Sequence, residues 1–150
     1  MKLNIFIIFI FLVFLPIKAE NIYPNKDLKP LEILNIQLKA LQNNDSKDLG
    51  IEQTWLFAHP QNKLATGPYP RFKSMLYDSH YQILLNHKSN SITLLRSDNN
   101  KFVYEIKIVA KDNKNIYYYE WQIEKGTEDN CTNCWFTSSV SFPQIKGRNL

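Results

Sequence analysis

Phe102-Val-Tyr-Glu-Ile-Lys-Ile-Val-Ala110 and Ile116-Tyr-Tyr-Tyr-Glu-Trp-Gln-Ile-Glu124, joined through Asp112-Asn113-Lys114-Asn115, decide the fold class. In the first run Phe102, Tyr104, Ile106 and Ile108 share one side of an extended chain, opposite Glu105 and Lys107. In the second, Tyr117, Tyr119, Trp121 and Ile123 share a side opposite Glu120 and Gln122. Period-two alternation marks an antiparallel sheet with one covered and one solvated face, and the covered face here is strongly aromatic. Residues 92–96 and 135–142 have the same strand character, and Asp98-Asn99-Asn100 supplies a turn between the first two strands.

Upstream of these strands the apolar spacing becomes helical. Asp27 can cap a helix running to about Gln42, with Pro30 in its first turn, where the missing N–H costs least. Glu32, Asn35, Lys39 and Gln42 fall on one narrow polar stripe, and the broad remainder is apolar except for Gln37. A buried amide needs hydrogen-bond partners, so Gln37 either satisfies the backbone of a neighbouring helix end or faces a ligand cavity. Asp45 and Asp48 resemble a loose cap for a second helix reaching about Ala58, where Pro60 stops it; Trp55 lies on its inner face. Residues 62–70 read as a rigid turn into a short helix from Arg71, and residues 81–85 suit helix or strand equally. Helices followed by strands predict one α+β domain, with a core over about residues 27–145.

Composition agrees with a single globular domain. Of 150 residues 44% are hydrophobic and 21% charged, which excludes a disordered, collagenous or coiled-coil chain. Residues 5–15 form an unbroken apolar run followed by Pro16-Ile17-Lys18-Ala19, the pattern of a secretory signal peptide over residues 1–19. The run is about half of what a membrane span requires, so stable membrane insertion is not expected once the signal is cleaved. Removal of residues 1–19 takes away two lysines and lowers the formal charge from +4 to +2, too weak a field to argue for nucleic acid. Lys101, Lys107, Lys111 and Lys114 read as protection of a solvated strand edge. The expected destination is the periplasm, the exterior, or a secretory-route compartment such as a plastid in a eukaryotic host.

Cys131 and Cys134 are the only cysteines. A local disulfide, a redox pair and two idle thiols all fit that spacing, although the strand-like run that follows lacks the helix N-terminus that activates a redox thiol. His59, His80 and His87 provide no zinc partners near them, and no cofactor motif is present.

Gln37-Leu38-Lys39-Ala40-Leu41-Gln42-Asn43-Asn44-Asp45, Phe57-Ala58-His59-Pro60, Gly67, Phe72-Lys73-Ser74-Met75-Leu76, Tyr81, Tyr119-Glu120-Trp121 and Cys134-Trp135-Phe136-Thr137-Ser138-Ser139-Val140 follow one another in order. In order and spacing they resemble a family of short exported bacterial and plastid-type proteins, domain of unknown function 4864. That family resembles in turn the nuclear transport factor 2-like (SnoaL-like) cone, in which a curved antiparallel sheet wraps a long first helix and leaves a pocket. That architecture hosts enzymes and noncatalytic modules alike, so it names no reaction. The lack of a catalytic constellation and the aromatic sheet face point to a noncatalytic pocket or scaffold module, with Gln37, Trp55, Tyr117, Tyr119 and Trp121 as pocket candidates and a small apolar molecule as ligand. A homodimer is compatible with it. Two alternatives stand beside it: a cone-fold enzyme using general acid-base chemistry on a small apolar substrate, and a thiol-disulfide protein using Cys131 and Cys134. The first would need a titratable group inside the cone, and His59, His80, Asp45 and Asp78 all fall at expected turns or helix ends.

Overall fold

The computed structural model describes residues 20–112, 114–126 and 131–145. The expected signal peptide, residues 1–19, lies outside the described residues. Four helices, α1 (Pro30–Gln42), α2 (Leu49–Leu56), α3 (Pro60–Thr66) and α4 (Tyr69–Leu76), precede a 3-10 turn (Gln82–Leu84) and four strands: β1 (Ser89–Ser97), β2 (Lys101–Val109), β3 (Ile116–Lys125) and β4 (Trp135–Val140). The strands form one antiparallel meander in sequence order. The fold is therefore α+β.

The aromatic sheet face is the covered one. Tyr104, Ile106, Ile108, Tyr119, Trp121 and Ile123 are all buried in a core shared with Ile33, Leu34, Leu38 and Leu41 of α1, Ile51 of α2 and Phe72 and Leu76 of α4. The buried side of α1 is narrower than the sequence suggests: Leu31 stays 45% exposed and Ile36 only half-buried. Helices α1 and α2 approach closely at Gly50, where a Cβ would strike the Ala40 carbonyl oxygen. That contact explains a glycine inside a helix, where it otherwise costs stability.

Several expected boundaries move. Helix α1 is capped by Lys29 rather than Asp27, and the Glu32 carboxylate reaches back to accept the Lys29 N–H at 2.7 Å. Asp45 accepts the Leu49 N–H at 3.1 Å, as a capping side chain would, while Asp48 holds the cap position. Pro60 does not merely stop α2; it opens α3, whose residues the sequence suggested were a turn. Proline is suited to the first helical position, so the same residue ends one helix and starts another. Helix α4 starts at Tyr69, with Pro70 in its first turn, after a cis Gly67–Pro68 bond. Strand β1 is longer than expected and β4 shorter.

The lysine reading also changes. Lys107 sits in β2, which pairs on both sides, so it guards no edge. Lys101 makes an ion pair with Glu124 at 2.5 Å. The open edge is β1, while the other side of the sheet is closed by a bridge between Ala58 and Thr137.

Asp48 ties the α1–α2 turn to α4. Its backbone is left-handed, with φ 61°, and its carboxylate accepts from Asn44 Nδ2 at 3.1 Å and from the Tyr77 hydroxyl. It also pairs with Lys73 Nζ at 2.6 Å. Hydrogen bonding from Lys73, then from Tyr77 and Asn44, pulls its carboxyl down to about 2. A carboxyl depressed in the folded state contributes stability that is present above its unfolded pKa and lost as protons bind. Acid titration of the denaturant midpoint should therefore show stability falling between about pH 4 and pH 2. Asp48→Asn should flatten that segment, and an unchanged acid limb in the variant would contradict the assignment.

Candidate functional site

The site is built around one chain of side-chain hydrogen bonds under the sheet. Trp121 Nε1 donates to Thr137 Oγ1 at 2.9 Å, and Thr137 Oγ1 donates to Gln37 Oε1 at 2.5 Å. Gln37 Nε2 donates to the Thr54 carbonyl at 3.1 Å, in the last turn of α2. Direction follows from chemistry. An indole nitrogen can only donate, so the Thr137 oxygen accepts there. The Thr54 carbonyl can only accept, so it takes the Gln37 nitrogen, and the Gln37 oxygen left facing Thr137 receives the hydroxyl proton. Gln37 is 1% exposed; its amide satisfies a neighbouring helix end, and the same side chain borders a cavity.

Thr137 is held by its backbone as well. Its N–H donates to the Phe57 carbonyl at 2.8 Å, and its own carbonyl accepts from His59 N at 2.8 Å and Asn62 Nδ2 at 3.2 Å. The segment between α2 and α3 therefore pairs with the outer edge of β4 through the residue whose hydroxyl fixes Gln37.

A cavity of about 80 Å³ lies between this floor and the helices. Its buried walls include Leu41, Phe72, Leu76 and Leu84; Asn62, Thr66, Met75, Tyr81 and Val140 form a half-buried rim. The polar groups facing it are amides and hydroxyls. Tyr81 is the one ionisable lining residue, and its hydroxyl donates to the Val140 carbonyl at 3.1 Å, with burial raising its pKa.

Of the five pocket candidates, Gln37 and Trp121 line the cavity and three do not. Trp55 packs on Phe72 and Tyr69 at ring-centroid distances of 4.9 and 6.0 Å, with Lys63 Nζ 5.3 Å from its ring. Tyr117 is half-buried against the core. Tyr119 is 1% exposed and donates to the His80 carbonyl at 2.7 Å; the hydroxyl that reaches Gln37 is that of Thr137. Thr137, Asn62, Thr66 and Tyr81 line the cavity without having been pocket candidates.

The other polar candidates stand elsewhere. His59 Nδ1 accepts the Gln61 N–H at the start of α3, Asp45 caps α2, and Asp78 accepts from His80 N and Tyr81 N. His87 is buried between the Leu84 carbonyl at its Nδ1 and the Asn90 amide at its Nε2, each at 2.8 Å, and desolvation lowers its pKa. The carbonyl requires the proton on Nδ1, so Nε2 accepts from Asn90. Cys131 and Cys134 form a disulfide with Cα atoms 5.5 Å apart, and Cys134 is fully buried. Among the described residues no group of three or more His, Cys, Asp or Glu side chains could hold a metal ion.

Thr137→Val keeps the shape of the side chain but orphans the Trp121 indole proton and the Gln37 oxygen together. Chemical denaturation should register a loss of about 2–4 kcal/mol, the range for two buried polar groups left unpaired. A loss below about 1 kcal/mol would show that water or a rotated amide replaces the hydroxyl.

No family model, curated protein or solved structure matches the chain.

Proposed function

We propose that this protein is a noncatalytic exported module that holds a small, neutral, largely apolar molecule in the cavity above Gln37, Thr137 and Trp121. The observation that carries the reading is the composition of the lining: aliphatic and aromatic walls, a few convergent amides and hydroxyls, and no carboxylate, ammonium, guanidinium or imidazole. Apolar walls with a small number of fixed polar groups are the general form of a small-molecule site. General acid-base catalysis would need a titratable group near neutrality beside the substrate. Tyr81 does not supply one, because its proton is engaged and its pKa is raised. Thiol-disulfide exchange is disfavoured too, since Cys134 is buried and leads into a strand rather than a helix.

The proposal includes membership of the domain of unknown function 4864 family and the nuclear transport factor 2-like cone architecture. The ordered motifs support it, together with a first helix carrying a central glutamine against an antiparallel sheet. It includes export as well, on the apolar run of residues 5–15 and a disulfide suited to an oxidising compartment.

Size limits the ligand. An engineered apolar cavity of about 150 Å³ takes benzene, so 80 Å³ admits only a handful of heavy atoms. A thermal-shift screen of neutral compounds with about four to six heavy atoms tests the reading. At a concentration of 100 times Kd a true ligand should add about 2.7 kcal/mol of stability. Val140→Phe, which places a ring at the cavity rim, should reduce that shift. A screen in which no neutral compound stabilises the protein, or in which charged compounds stabilise it equally, would overturn the proposal.

A further inference from the structure

Resting on the pocket reading above, we infer that the ligand carries a carboxamide-type head, an acceptor beside a donor, recognised by the half-used amide of Gln37. A primary carboxamide has two N–H donors and an oxygen with two lone pairs. The protein engages one of each: one N–H goes to the Thr54 carbonyl and one lone pair to the Thr137 hydroxyl. Among the described residues the second N–H and the second lone pair have no partner, on a side chain that is 1% exposed and lines the cavity.

Half-satisfaction of this kind is selective. Buried polar groups left without partners are costly, so the ligand that fits best offers an acceptor to the spare N–H and a donor to the spare lone pair. An amide does both from one planar group. A carboxylate offers acceptors only, sets lone pair against lone pair, and loses its hydration with no cationic group in the lining to compensate. An ammonium fails in the opposite sense, since it has donors only. A hydrocarbon fills the space but leaves both Gln37 groups unpaired. The Trp121–Thr137 chain and the Thr54 carbonyl make the discrimination firm, because together they prevent the Gln37 amide from turning over and exchanging its donor and acceptor positions.

Three probes of five heavy atoms each separate these cases: propionamide, propionate and cyclopentane. Each is titrated into the protein at pH 7 and followed by thermal shift and by the proton-nitrogen correlations of the Gln37 side chain and the Trp121 indole. The inference expects propionamide to raise Tm and move the Gln37 NH₂ signals, and propionate to do neither. Gln37→Leu should bind propionamide at least about tenfold more weakly, the order of two lost hydrogen bonds. If that variant does not fold, the contrast of propionamide with propionate in the unaltered protein decides. Equal response to propionamide and propionate, or propionamide binding that leaves the Gln37 signals unmoved, overturns the head-group inference. Cyclopentane binding without propionamide binding also overturns it, yet leaves the pocket reading standing. Failure of both neutral probes removes the two together.

Discussion

One buried hydrogen-bond chain, running from Trp121 through Thr137 and Gln37 to the Thr54 carbonyl, sets the arrangement on which the rest of the interior depends. Trp121 can only donate and the Thr54 carbonyl can only accept, so Gln37 turns its nitrogen toward α2 and its oxygen takes the Thr137 proton. Four elements are joined by that sequence of constraints: β3, β4, α1 and α2. The backbone of Thr137 adds a fourth connection, pairing with Phe57 and His59 and closing the sheet on that side. Each polar atom of the chain has at least one partner, and the fixed directions of those bonds make it a determinant of a unique packing rather than a source of bulk stability.

The same constraint makes the cavity selective. Apolar burial by Leu34, Leu38, Ile106 and Trp121 holds helices and sheet together without specifying what fills the space between them. The orientation of the Gln37 amide does specify it, since a fixed amide offers a defined donor and acceptor where a freely turning one would tolerate many partners. Among the described residues no carboxylate, ammonium, guanidinium or imidazole lines the cavity. His59, Asp45, Asp78 and Asp48 all serve turns or helix ends.

Much of this was legible in the sequence, for identifiable reasons. Alternation over residues 102–108 and 117–123 marked the buried sheet face because a regular strand repeats every two residues. Gln37 stood out because it interrupts an otherwise apolar helix face. Thr137 did not, because a β-bulge intervenes: Ile123 pairs with Thr137 and Gln122 with Ser139, leaving Ser138 over. Period-two counting puts Thr137 and Val140 on opposite faces, whereas the extra residue brings both to the cavity. Helix α3 was hidden for another reason. It buries no side chain, so it has no apolar period to read, and its proline was taken as an ending rather than a beginning. The four lysines misled because counting charges along a hairpin does not show which strand becomes the edge.

Hydrogen exchange of the Trp121 indole proton tests the central claim most directly. If Thr137 holds that proton as described, it should exchange only through global unfolding, with a protection free energy equal to the unfolding free energy from denaturation. The half-buried indoles of Trp55 and Trp135 serve as internal references. Exchange of Trp121 at the rate of those references would contradict the account, because it would mean that the hydrogen-bond chain opens without the fold.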